Sequence, residues 1–158
     1  MKITERVVVA HWEGPYAWEE CQKRRQAGHV LYALHGSHHL YGSNVLLYIG
    51  RSDVNVSDRM KSHEEWVADE YDAMTVRFAS IGDLKDEHWT DWSKGERYSP
   101  APSALVAAVE ALLIYAHQPA YNALNKGSTK SAKGIRILNT GRLGHLLPEV
   151  SYLYHVGD

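Results

Sequence analysis

Cysteine is almost missing: Cys21 is the only one in 158 residues, so no disulfide can form within the chain, and a reducing compartment is expected. No apolar run approaches ~18 residues, which excludes a membrane-crossing helix from the expectation and leaves no membrane partner to look for. Near the start only residues 7–10 are consecutively apolar, too few for the core of a secretory signal, so none is expected and a cytoplasmic location is. There is no dominant charge of one sign either. The formal net charge is −2, which does not announce a polyanion-binding protein. Internal repeats and low-complexity tracts are absent, and no stretch reads as a linker between domains. What is present is ordinary: 44% hydrophobic and 23% charged residues, enough for one globular domain over residues 1–158 and too few for two good ones.

The charges are unevenly spread. Acids dominate from Asp53 to Glu96, whereas from Asn122 to Arg142 the charged residues are Lys126, Lys130, Lys133, Arg136 and Arg142. Such an asymmetry makes a local anion-binding face on an acidic protein, or simply a solubilised loop; composition supports both.

Periodicity predicts strands over 5–11, 30–34, 45–49 and 74–81, with further strands at 135–138 and 150–154. Gly14-Pro15 reads as a breaker that opens a helix over 16–26. The stretch 35–43 reads as a loop, and the two strands around it pair as an antiparallel hairpin. Ser57 suits an N-cap for a helix over 58–70. Residues 82–102 read as an irregular excursion, and 141–147 as weakly helical. The clearest helix is 103–117, capped by Ser103 and ended by Gln118-Pro119. It is apolar nearly all round and should be buried.

Three features in this pattern carry chemistry. The first is a corner where the strand 45–49 turns at Gly50. It gathers Tyr48, Arg51, Arg59 and His63, with Tyr32 on the neighbouring strand. Arg51 and Arg59 offer phosphate-binding forks, and Arg59 and His63, four apart, share a helix face. A phenol there becomes a base at neutral pH only if its pKa falls from ~10 toward 7.5, at a cost of about 3.4 kcal/mol that nearby cations would have to supply. Otherwise a strand tyrosine is a β-former with a wet tip.

The second feature is Glu110. Its helix neighbours Val106, Ala107, Leu113 and Ile114 are all apolar. A carboxylate so placed costs several kcal/mol unless it is protonated, paired with an arginine or bound to a cation. Asn122, twelve residues later and just past Pro119, reads on its own as a residue that pins the turn.

The third is His35-Gly36-Ser37-His38-His39. It invites a zinc reading, but nothing in it matches a structural zinc spacing. A surface loop, or a loop touching nucleic acid, accounts for it better.

Taken in order, Val30-Leu31-Tyr32, Tyr48-Ile49-Gly50, Arg59 with His63, Glu110, and Gln118-Pro119-Ala120-Tyr121-Asn122 resemble the GIY-YIG nuclease superfamily over about residues 28–125. The first motif departs from the pattern: it reads Val-Leu-Tyr, with Gly28 nearby but no glycine in place, and the loop between the tyrosines is long. The resemblance implies an α/β fold built on a small three-stranded antiparallel sheet flanked by helices, here with N- and C-terminal extensions. It implies an endonuclease hydrolysing DNA phosphodiesters with one magnesium or manganese ion, in a restriction-type or repair-associated role. Tyr32, Tyr48, Arg59, His63, Glu110 and Asn122 would be catalytic, with Glu110 the metal ligand and Tyr32 slightly favoured as the base. Arg51, Lys126, Lys130, Lys133 and Arg136 would bind substrate. Double-stranded DNA is favoured over single strands or RNA, and a homodimer suits a restriction enzyme. The alternative is a non-catalytic nucleic-acid-binding module on the same fold.

Overall fold

The computed structural model describes residues 4–21, 30–52, 56–68, 70, 73–84, 101–127 and 129–157. The chain is built around strand β1 (Arg6–Ala17). Val8, Ala10 and Trp12 alternate onto one buried face of it, and β-branched Val7, Val8 and Val9 suit the extended backbone. β4 (Thr75–Asp83) pairs antiparallel to one edge of β1, and β5 (Ile135–Gly141) pairs parallel to the other. With β2 (Val30–His38), β3 (Gly42–Ser52) and β6 (Glu149–Ser151), the described residues form one curled mixed sheet of six strands in the order β3-β2-β4-β1-β5-β6.

This overturns the expected three-stranded antiparallel sheet flanked by helices. β3, β2 and β4 are antiparallel neighbours, but the sheet continues past β4 through β1, β5 and β6. The reason lies at Gly14-Pro15. The strand does not stop there; it shifts register between Glu13 and Tyr16 and continues to Ala17. Gly14 has φ 122°, and a Cβ on it would sit 2.9 Å from the Val76 carbonyl, so the bulge needs glycine. The helix expected over 16–26 is reduced, among the described residues, to α1 (Trp18–Cys21); residues 22–26 lie outside them, as does Gly28.

Helix is correspondingly scarce. The segment read as one helix over 58–70 is two short ones, α2 (Val56–Lys61) and α3 (Glu64–Ala68). Ser57 lies inside α2 rather than capping it. α4 (Ser103–His117) is the long helix, and Pro102, not Ser103, holds its N-cap position. It ends at Gln118, which turns left-handed with φ 48° and donates its N–H to Ile114 O. The C-terminal strand is short and runs into α5 (Tyr152–His155), and 141–147 is turn rather than helix. Of the excursion 82–102, residues 85–100 lie outside the described residues.

The sheet is apolar on both faces, which is why it is covered on both. On one face Val8, Trp12, Leu31, Ile49 and Ile137 pack against Val106, Val109, Leu112 and Leu113 of α4. On the other, Tyr32, Leu34, Leu47, Val76 and Phe78 pack with Trp18 and with Met60 of α2. β3 is an edge strand of the sheet, and the functional residues gather beside it.

Candidate functional site

An edge strand leaves backbone groups unpaired, and the chain after α4 supplies partners for those of β3. Tyr121 N–H donates to Leu47 O at 2.8 Å. The Asn122 amide then pairs both polar groups of Ile49: its Nδ2 donates to Ile49 O at 2.8 Å, and its Oδ1 accepts from Ile49 N at 2.9 Å. Asn122 therefore pins β3, not its own turn. Asn122→Ala orphans two buried backbone groups and is expected to destabilise the fold by about 2–4 kcal/mol, read as a lower denaturant midpoint.

The pinned edge forms one wall of an open cleft of about 830 Å³, lined by residues that include Tyr48, Arg51, Asp58, Arg59, Glu110, Tyr121 and Asn122. Its walls are β3, α2, α4 and the segment after α4. Gly50 is not a turn; it lies within β3 directly opposite Tyr32. A Cβ there would fall 2.5 Å from Tyr32 Cζ and 2.7 Å from Tyr48 Cε1, so glycine makes room for the two phenols. Their rings stack at 6.0 Å with a 27° interplanar angle.

The two phenols have different surroundings. Tyr32 is fully buried, and burial, then Tyr48, pushes its pKa up against the pull of Arg59. The fall in pKa required of a Tyr32 base is therefore not met. Tyr48 is half-buried and lines the cleft.

The hydrogen bonds around Tyr32 have a direction. An indole N–H can only donate, and Trp66 Nε1 donates to His63 Nδ1 at 3.1 Å. Burial, then Arg59, lowers the His63 pKa to about 4, so the ring is neutral at pH 7 with its proton on Nε2. That proton is given to Tyr32 Oη at 2.7 Å, and Arg59 Nε donates to the same oxygen at 3.1 Å. With two donors already on its oxygen, Tyr32 gives its own proton to its hydrogen-bond partner Tyr48. Arg59 also hydrogen-bonds Tyr48. The Tyr48 oxygen is the last acceptor in the chain, on the residue that lines the cleft.

Glu110 lies on the opposite wall. It is not free in an apolar shell: Arg51 Nε reaches its Oε2 at 2.9 Å, with side-chain exposures of 32% for Arg51 and 16% for Glu110. Magnesium suits such a place, because it binds through one or two carboxylates and completes its shell with water and phosphate oxygens. Glu110, with Asp58 also on the cleft, meets that requirement. A full protein cage does not form: no three His, Cys, Asp or Glu side chains gather among the described residues.

The other expected contributors lie apart. Lys126 follows directly on the cleft-lining Asn125, and its carbonyl accepts from Gln118 Nε2 at 2.9 Å. Lys130 opens a 3-10 turn, Lys130–Ala132, that Lys133 closes, and neither lysine lines the cleft. Arg136 binds Glu5 at 2.9 Å and Glu149 at 2.8 Å, fastening β5 to the N-terminal segment and to β6. The histidine-rich stretch is strand as far as His38, with His39 in the turn, and His35 is completely buried in it. Sequence reasoning missed Asp58, Trp66 and Tyr121. The spacing of Trp66, three after His63 and so on the same helical face, was a readable signal for one of them. No family model, curated protein or solved structure matches this chain.

Proposed function

We propose that the chain is a divalent-metal-dependent endonuclease, hydrolysing DNA phosphodiester bonds in the cleft beside β3, as its resemblance to GIY-YIG nucleases implies. One observation carries the reading. Tyr48, Arg51, Arg59, Glu110 and Asn122, scattered through the sequence, line a single open cleft. Phosphodiester hydrolysis builds negative charge on the phosphoryl oxygens and on the leaving oxygen. Arg59 and Arg51 stabilise it on the phosphate. Glu110 would hold a magnesium or manganese ion, which would supply Lewis-acid chemistry for the same oxygens. Tyr48, rather than Tyr32, orients the attacking water and, once its own proton has been released to solvent, takes the water's proton as the tyrosinate. Tyr32, His63 and Trp66 are positioning residues, each holding the next in one orientation. Asn122 keeps Tyr48 and Glu110 at a constant separation by fixing β3.

Incubation with supercoiled plasmid, with magnesium and with a chelator, is the direct test. Nicking or linearisation only with the metal supports the reading, and no cleavage of duplex, single-stranded or branched DNA overturns it. Arg59→Ala is expected to lower the cleavage rate by at least ~10²-fold and the affinity only a few-fold. Equal losses would make Arg59 a phosphate clamp.

A second reading, a nucleic-acid-binding module without catalysis, is favoured by the Arg51–Glu110 contact, since a carboxylate neutralised by arginine needs no metal. It predicts DNA binding that is indifferent to magnesium.

A further inference from the structure

The tip of the β2–β3 hairpin carries large apolar groups in the open. Leu40 is 77% exposed and Tyr41 64%, and on the segment after α4 Leu124 is 78% exposed. These groups are joined to the cleft by rings. Tyr41 stacks on His38 at 4.6 Å, and His38 meets Tyr121 at 6.0 Å. Tyr121 meets Trp66 edge-on at 5.3 Å, and Trp66 meets Tyr48 at 6.2 Å. An unbroken strip of aromatic rings thus runs from the hairpin tip to the cleft residue that faces the scissile phosphate in the proposed mechanism.

The tip is ordered for contact. His38 Nδ1 accepts from the backbone N–H groups of Leu40 and Tyr41, at 3.1 and 3.3 Å, which sets the Tyr41 ring against His38 before any partner arrives. Charge narrows the choice of partner. The Tyr121 hydroxyl bonds Glu70, and Glu64 and Glu65 are exposed on the adjoining α3. A duplex presents its phosphates outward and would meet acids along this path. An unpaired strand presents the flat faces of its bases, which stack on aromatic rings whatever their sequence. Arg51 and Arg59 line the cleft at the inner end of the strip.

We infer that the strip binds unpaired nucleotide bases next to the scissile phosphate, so that the substrate is DNA single-stranded on one side of the cut. The inference rests on the nuclease reading for its substrate class and departs from the expected preference for duplex. Its test is metal-free binding, followed by fluorescence anisotropy, of labelled oligothymidylate, the same strand with abasic sites, and a blunt duplex. Tyr41→Ala is expected to weaken oligothymidylate binding about tenfold or more and leave the duplex unchanged, while Tyr41→Phe binds like the parent. The abasic strand should bind the parent at least as weakly as oligothymidylate binds Tyr41→Ala. Equal affinity of the parent for abasic and natural strands overturns the inference. So does equal loss of duplex and single strand, or a parent dimer that Tyr41→Ala dissociates. Tyr41 is exposed, so the variant keeps its fold, which near-ultraviolet dichroism checks. Base-dependent binding without cleavage under any condition would leave the strip standing and remove the nuclease. Metal-dependent cleavage that ignores abasic sites would do the reverse.

Discussion

Glu110→Gln is expected to lose metal-dependent cleavage by at least ~10³-fold while its stability stays within about 1 kcal/mol of the parent. The two halves of that expectation have separate causes. The amide keeps the shape of the side chain and an oxygen for Arg51 to bind, and Arg51 is partly exposed, so the lost ion pair is largely screened. What the amide cannot do is hold a hard divalent cation with a full negative charge. The measurement is a plasmid-cleavage rate over a magnesium titration beside a urea unfolding curve. A variant that cuts as fast as its parent would sink the metal role of Glu110. A variant that loses several kcal/mol of stability would show that Glu110 serves the fold, as one partner of a structural ion pair.

Acidification is expected to weaken the fold well before ordinary carboxylates titrate. His35 is completely buried beside Arg77, and burial, then that guanidinium, lowers its pKa to about 3. His63 is lowered to about 4, and His117 is lowered chiefly by burial. All three use a ring nitrogen as an acceptor: His35 Nε2 from His145 N–H at 3.3 Å, His63 Nδ1 from Trp66, and His117 Nε2 from Leu147 N–H at 2.9 Å. Protonation would remove each acceptor. Because these pKa values lie below ~6.5 of the unfolded chain, their contribution is complete above that pH. It is lost as pH falls from ~6.5 toward about 4 and about 3, the unfolded state binding more protons in that window. At pH 5, His35 and His63 each withdraw about 2 kcal/mol, a large part of a typical 5–15 kcal/mol stability. The expected result is a melting temperature about 10 °C lower at pH 5 than at pH 7.5. His35→Gln should flatten that slope whatever it does to the level at pH 7.5. Equal melting temperatures at the two pH values would refute it.

Some of this was readable from local pattern. The strand at 74–81, the helix at 103–117 and the hairpin around residues 35–43 follow from periodicity, and a carboxylate inside an apolar helix marks itself. Where local pattern failed, a tertiary partner had intervened. Gly14-Pro15 looks like a stop, yet β1 runs through it because β4 pairs with it on both sides of the bulge. Gly50 looks like a turn, yet it stays in strand because Tyr32 fills the space above it. Asn122 looks like a local clamp, yet its amide matches the open edge of β3.

Read alone, the chain shows which residue types could do phosphate chemistry, and that two of them, Tyr48 and Arg51, lie three residues apart at the end of an apolar strand. Periodicity and burial of apolar side chains are local signals, and they suffice for that much. It took the packed fold to settle which phenol meets the cleft and which lies buried, that Glu110 meets Arg51, and that, among the described residues, six strands rather than three make the sheet. Those outcomes depend on strand order, register and hydrogen-bond direction across residues far apart in the chain, and no local periodicity encodes them.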